Sequence, residues 1–287
     1  MIKTALGLLV SLVLFTLMFA LGLSLRIEGL QRWWKSPGLP LRILLGSTLL
    51  VPLAGLLLLH LPWSRSIPAP ERFAIALMAV CPSAPLALRK TRKTGGDHQL
   101  AALIQIGAAL TAIASVPLMA LLYRQSFGIL SWQVHPLDVA LQVGRVQVLP
   151  LLLALALRRW RGDLADRIEL PLDRLANLLL ILLVALVLLG TGPILLSELL
   201  RNGPAALVMA LQAITALGIG WLLAGRANTH RLTTALVTAM RNPGLALLLA
   251  SRHGAGMPGL KAAILIYVGV TLVVSLPLIR LARPQND

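Results

Sequence analysis

The sequence has few charged residues, very few acidic ones and a single cysteine. Only 13% of its 287 residues are charged and 57% are hydrophobic, so a soluble domain of this length would lack a polar surface. The one cysteine, Cys81, excludes an internal disulfide framework and a zinc site built from several cysteines. No paired aspartates, His-rich motif or Ser/Lys arrangement falls within the apolar stretches, which argues against an enzyme. These absences predict a membrane protein without catalytic or redox chemistry.

Basic residues are the only abundant charged class. The chain has 26 Lys and Arg residues against 10 Asp and Glu residues, and a net charge of +16 would also suit a nucleic-acid-binding protein. The basic residues form short clusters between apolar stretches, however, and do not cover an amphipathic face. We therefore predict that the partner of this chain is the lipid bilayer and not nucleic acid. The sequence predicts no particular oligomeric state.

Uncharged apolar runs long enough to cross a membrane are frequent. About 20 residues of helix span the roughly 30 Å of hydrocarbon in a bilayer. Runs of this order lie at 4–25, 43–64, 99–123, 175–197, 202–225 and 262–279, and the first is too long for an ordinary signal peptide. Further apolar segments interrupted by proline or arginine lie at 73–88, 139–157 and 232–251. The sequence therefore predicts an all-α integral membrane protein with about nine transmembrane helices.

The basic residues alternate between the connections of these predicted spans. One side of the membrane receives 17 Lys and Arg residues and the other receives seven, while Arg145 and Arg241 fall inside spans. Because cytoplasmic loops are enriched in Lys and Arg, we expect an outside N-terminus and a cytoplasmic C-terminus. The expected location is the plasma membrane, which in a bacterium is the inner membrane.

The two halves of the chain resemble each other. The segment TAIASVPL at 111–118 resembles TLVVSLPL at 271–278, and the tripeptide Leu-Ala-Leu recurs at an offset of 159, at 86–88 and 245–247. Spans five positions apart cross the membrane in opposite directions, so the pattern predicts an inverted repeat. The first repeat would be 1–125, with four spans, and the second 136–283, with five spans.

Each predicted repeat contains one span that is broken by proline, near 82–85 in the first and near 241–244 in the second. Proline removes a backbone donor and leaves carbonyl groups that must find a partner or a cavity within the membrane. Paired breaks at matching positions are typical of the midplane site of a transporter. The other span prolines are interpreted as simple kinks, at Pro52, Pro117, Pro150 and Pro277.

Several short motifs resemble the bile acid:sodium symporter family of secondary transporters. The family's pattern of Cys-Pro, Gly-Asp and Pro is matched without gaps, and its Gln-Asn motif is matched at the asparagine. The matching residues are Met18 to Leu23, Cys81-Pro82, Gly96-Asp97, Pro117 and Asn242. The resemblance implies two five-helix repeats arranged as a panel and a core domain, with the broken helices crossing in the core. The family's first helix would be missing here, as in its nine-span members.

The chain departs from this family where sodium-coupled members hold the ion. A hard cation needs oxygen ligands, and the resemblance implies that side chains at four positions would supply them. Those positions are Ala87, Leu88, Val237 and Arg241 in this chain. Sodium is therefore a possible ligand whose family ligands are replaced, and no other cofactor or metal is expected.

The broken spans and the helix between them supply the predicted substrate-binding residues. These are Ser83, Ala84, Pro85, Gln105, Thr111, Thr238, Arg241 and Asn242. Arg241 has two interpretations, since an arginine at span depth is paired or functional. Its planar guanidinium would bind an organic anion and replace the charge of sodium, or it would bond carbonyl groups freed at the break near 84–85 and lock the crossing.

The sequence and the resemblance together predict a secondary active transporter of a small organic anion, of the bile-acid or carboxylate class, that works by alternating access without the family's usual sodium coupling. One alternative is metalloid or proton-coupled efflux, for which Cys81 would be the relevant residue, as in arsenite exporters of related fold. Another alternative is a transporter-derived membrane sensor without flux.

Overall fold

The computed structural model describes residues 2–26, 37–83, 87, 91, 95–127, 134–254 and 256–281, and it is helical throughout this part. The helices are α1 (Ile2–Ser24), α2 (Gly38–Leu45), α3 (Val51–His60), α4 (Ala69–Val80), α5 (His98–Phe127), α6 (Pro136–Val143), α7 (Leu149–Trp160), α8 (Gly162–Arg201), α9 (Gly203–Leu223), α10 (Asn228–Ala239), α11 (Pro243–His253) and α12 (Leu260–Leu281).

Two of the spans contain a π-helical turn instead of a simple proline kink. The turn Gly46–Leu50 joins α2 to α3, and Gly144–Val148 joins α6 to α7. Each turn ends two residues before a proline, Pro52 or Pro150, which cannot donate an intrahelical hydrogen bond. The interpretation of these two prolines as simple kinks was therefore incomplete. Pro117 and Pro277, in contrast, lie inside continuous helices.

Six helical segments in the described residues are long and apolar enough to cross a membrane: Gly7–Ser24, Gly38–His60, His98–Phe127, Pro136–Trp160, Gly203–Leu223 and Leu260–Arg280. Five agree with uninterrupted predicted spans, and the sixth corresponds to 139–157, which is continuous despite Arg145. The two broken spans and 175–197 are not among the six. The number of nine spans and the inverted repeat stay predictions. Large leucines on these helices are exposed, as lipid-facing residues are.

The helices pack in two groups. In one group α1 contacts α7 and α8, and in the other α9 contacts α10 and α12 while α12 also contacts α4. Helix α5 lies at the boundary, since it contacts both α6 and α10. The broken segments belong to the second group, so the site is built within one set of packed helices.

Helix α8 begins much earlier than the predicted span at 175–197. It is 40 residues long, which corresponds to about 60 Å at 1.5 Å per residue, twice the hydrocarbon thickness. Its first turns carry the acids Asp166 and Glu169, which form ion pairs with Arg158 at 3.1 and 2.9 Å. The charges that excluded this part from a span therefore do not end the helix, and two of them pair with the end of α7.

Candidate functional site

The two proline-broken segments touch at Pro82-Ser83 and Arg241-Asn242, a contact that we call the crossing. Helix α4 ends at Val80 and helix α11 begins at Pro243, and between them Ser83 and Arg241 form an isolated antiparallel bridge. The Asn242 backbone N–H donates to the carbonyl oxygen of Pro82 at 2.9 Å. The described helix ends lie next to the two predicted breaks, which stay predictions, and the segments 82–83 and 241–242 are in direct contact.

Asn242 starts the second half of its broken span. Its side-chain Oδ1 accepts a hydrogen bond from the Leu245 N–H at 3.1 Å, so it caps the first turn of α11. Pro243 follows at the first helical position, where its missing N–H removes no helical hydrogen bond. The Asn-Pro pair therefore ends one helix and begins the next at a fixed point.

The Gly96-Asp97 pair has a similar structural role at the start of α5. The Asp97 Oδ1 accepts from the Leu100 N–H at 2.9 Å, and the Asp97 N–H donates to Thr233 Oγ1 at 2.7 Å. A Cβ atom at Gly96 would lie 2.7 Å from the same Thr233 oxygen. The pair therefore caps α5 and allows it to approach α10 closely.

Arg241 lies at the centre of the crossing and is only 2% exposed. Its Nε donates to the Met78 carbonyl at 3.1 Å, and one Nη2 bond reaches the Ala79 carbonyl at 2.7 Å. Nη1 donates to Ser47 Oγ at 2.8 Å and to the Thr238 carbonyl at 3.2 Å, and Nη2 also donates to the Ser47 carbonyl at 3.0 Å. These contacts agree with the interpretation that Arg241 bonds freed carbonyl groups and locks the crossing. The carbonyl groups differ from those expected, however, since residues 84–85 lie outside the described residues.

Three other predicted site residues bury polar atoms that have no hydrogen-bond partner in the described part of the chain. They are the hydroxyls of Ser83 and Thr238 and both amide atoms of Gln105, in side chains at most 1% exposed. Ser83 and Thr238 flank the crossing, and Gln105 lies on α5, which packs against α10. Buried polar groups without partners are uncommon and disfavoured. They are the groups that a bound polar ligand would satisfy.

Thr111 is not brought together with these residues. Thr111 is exposed, and its hydroxyl donates to the Gly107 carbonyl of its own helix at 2.8 Å. Ala84 and Pro85 lie outside the described residues. The assignment of these three residues to a substrate site stays a prediction.

Two cavities lie near or along these helices. The first has a volume of about 20 Å³ and is lined by Arg241, Thr271 and apolar side chains. This is room for about one water molecule. The second has about 650 Å³ and is an apolar groove between the end of α5 and the start of α6, with Arg124 and His135 among its lining residues. The described cavity beside Arg241 is therefore too small for an organic ligand.

The positions at which the resemblance places sodium ligands do not fit a sodium ion. Ala87 and Val237 are at most 1% exposed and pack in one apolar cluster with Ala101 and Ile104. Aliphatic side chains offer no oxygen to a hard cation. Leu88 lies outside the described residues, and the fourth position is Arg241, whose charge would repel the ion. We therefore assign no step of transport to sodium at this site.

Ser47 is the site residue that the sequence analysis missed. It is fully buried in the π-helical turn between α2 and α3 and contacts Arg241 through two atoms. The sequence feature that could have pointed to Ser47 is Pro52, five residues later. It lacks the N–H that a π-helical turn would pair with the Ser47 carbonyl.

Comparison with known protein families supports the family resemblance found in the sequence. The model of the family described as Sodium Bile acid symporter family matches residues 11–198, which is more than half of the chain and includes the first break. A comparison with curated proteins returns no match.

Proposed function

This chain belongs to the sodium bile acid symporter family, and on that premise we propose that it is a secondary active transporter of a small organic anion that works by alternating access. The observation that carries the proposal is the contact between two broken segments within a bundle of apolar helices, together with buried polar groups that have no partner among the described residues. Broken helices of this kind place helix ends and freed backbone groups at a transport site.

The proposed contacts to the anion are made by Ser83, Gln105 and Thr238, with Asn242 at the start of α11. The five N–H groups of Arg241 are all bonded to protein oxygens. Arg241 therefore contributes its charge to the site, and hydroxyl and amide groups provide the hydrogen bonds. A buried positive charge at the crossing favours an anionic over a cationic substrate.

Thr238 offers a test in which function and stability change in opposite directions. Replacing its partnerless hydroxyl by Thr238→Val removes a buried unsatisfied group, so we expect unchanged or higher thermal stability and strongly reduced uptake. Thr234→Val on the same helix is the matched control, because the Thr234 hydroxyl donates to the Gly220 carbonyl at 2.8 Å. That control is expected to lower stability by about 1 kcal/mol and to retain uptake per folded protein.

The measurement is uptake and counterflow of labelled bile acids, keto acids, other carboxylates and sulfonates in proteoliposomes, with and without a sodium gradient. Saturable counterflow of an organic anion supports the proposal. Binding of such an anion without counterflow would contradict it in favour of a sensor. Loss of arsenite resistance in cells carrying Cys81→Ser, with no anion flux in vesicles, would instead identify metalloid efflux. Uptake that follows an imposed pH gradient would identify proton coupling.

A further inference from the structure

The guanidinium of Arg241 has no unused donor. A guanidinium carries five N–H groups, and five oxygen atoms accept from them at 2.7 to 3.2 Å, all within the protein. Four are backbone carbonyl oxygens and one is the Ser47 hydroxyl. No carboxylate of the described residues forms an ion pair with it. The charge is therefore held by neutral dipoles alone, inside an enclosed set of oxygens that we call the oxygen cage.

The carbonyl groups of the oxygen cage are those that the local backbone cannot satisfy. The helical partner of the Met78 carbonyl would be the N–H of Pro82, which does not exist. The helical partner of the Thr238 carbonyl would be the Asn242 N–H, which donates across the crossing to Pro82 instead. Each of these carbonyls needs a donor from elsewhere, because in a membrane water does not supply one.

The other two carbonyls have the same origin. The Ala79 carbonyl belongs to the last turn of α4, whose final carbonyl groups have no intrahelical partner. The Ser47 carbonyl loses its partner because Val51 donates to Gly46 and Pro52 has no N–H. The C-terminal ends of α4 and α10 also carry partial negative charge. The crossing therefore contains a site for one cation, built from three separate segments.

We propose that Arg241 is a permanently attached cation that does for this crossing what a bound sodium ion does in the sodium-coupled members of the family. It joins the ends of α4 and α10 to the π-helical turn at Ser47. Because the charge is covalently attached, it cannot be taken up on one side and released on the other. The crossing therefore forms without sodium, and a sodium gradient cannot drive transport through it. Only the statement that Arg241 replaces a coupling ion rests on the proposed function.

Thermal unfolding of the purified wild-type protein in detergent tests the first consequence without any substrate. The melting temperature is compared in sodium, potassium and choline chloride at equal ionic strength. We expect the three values to agree within about 1 °C, because no ion enters the cage. A selective increase in sodium would overturn the inference.

Arg241→Ala tests the second consequence, because it leaves the five oxygens of the cage without a cation. We expect the melting temperature to fall by roughly 10 °C. Low millimolar guanidinium chloride should recover a large part of this loss, since the free ion matches the donor geometry of the missing side chain. Arg145→Ala is the matched control, because Arg145 also lies within a span but is exposed. Neither the control nor the wild type should respond to guanidinium in this way.

An Arg241→Ala variant as stable as the wild type, or one that no small cation stabilises, would overturn the inference. If that variant does not fold, Arg241→Lys takes its place. Its ammonium keeps the charge but offers only three donors to five oxygens. The melting temperature of the lysine variant should therefore lie between that of the wild type and the value expected for the alanine variant, and it should not change with sodium. None of these readouts needs transport, so the absence of anion flux would contradict the proposed function and leave this inference standing.

Discussion

The clearest quantitative prediction concerns Ser47, whose hydroxyl is one of the five acceptors of Arg241. Ser47→Ala removes the oxygen that lies 2.8 Å from Nη1 and leaves the backbone carbonyl in place. Ser47 is fully buried, so no water replaces the lost acceptor. A hydrogen bond to a charged group contributes about 1.5 to 3 kcal/mol. In a chain of this size we therefore expect the melting temperature to fall by roughly 3 to 5 °C.

The assay is a double-mutant cycle of Ser47→Ala with Arg241→Gln, followed by unfolding in detergent. The serine substitution should cost about 2 kcal/mol in the wild-type background and close to nothing once the guanidinium is gone. Ser275→Ala is the matched control, since Ser275 is equally buried but donates to the Leu272 carbonyl of its own helix. Equal losses from Ser47→Ala in both backgrounds would refute the account of the oxygen cage.

Three further predictions follow from the same packing and charge. Gly220→Ala should destabilise the protein by more than about 2 kcal/mol, because its Cβ atom would lie 2.4 Å from the Thr234 carbonyl oxygen. Gly218→Ala on the same helix has free space and is the control. Fluorescence-detected size exclusion after heating compares the two variants, and equal loss of folded protein would contradict the packing. Tyr123→Phe should cost about 1 kcal/mol in thermal unfolding by removing the 2.7 Å hydrogen bond to the Pro52 carbonyl. For a monovalent anion carried without a coupling cation, an inside-negative potential of 100 mV should oppose accumulation by about 50-fold. The measurement is uptake in vesicles with imposed potassium potentials. Uptake that does not depend on the potential would show that a cation accompanies the anion.

The positions of the helices were largely predictable because they depend on local properties of the chain. An apolar run of about 20 residues specifies a spanning helix wherever it occurs, and proline ends or distorts a helix at its own position. The apolar run at 175–197 did not indicate how far its helix extends. Helix α8 starts at Gly162, and acids on its first turns pair with Arg158.

The candidate site was predictable only in part. The sequence pointed to the breaks and to Arg241, since an arginine two residues before a proline in an apolar segment is unusual. It did not point to Ser47, which is 194 positions away along the chain from Arg241. It also placed Thr111 beside Gln105, although the structure exposes Thr111 and buries Gln105.

By itself, the sequence determined that this chain is a helical membrane protein with broken spans and a positive charge at span depth. Only the tertiary structure decided what that charge does. Hydrophobicity and proline act within one segment, so they can be recognised from the sequence. Four of the five hydrogen-bond partners of Arg241 are backbone carbonyl oxygens, which every residue possesses, and they become available only where three segments meet with their helical bonds broken.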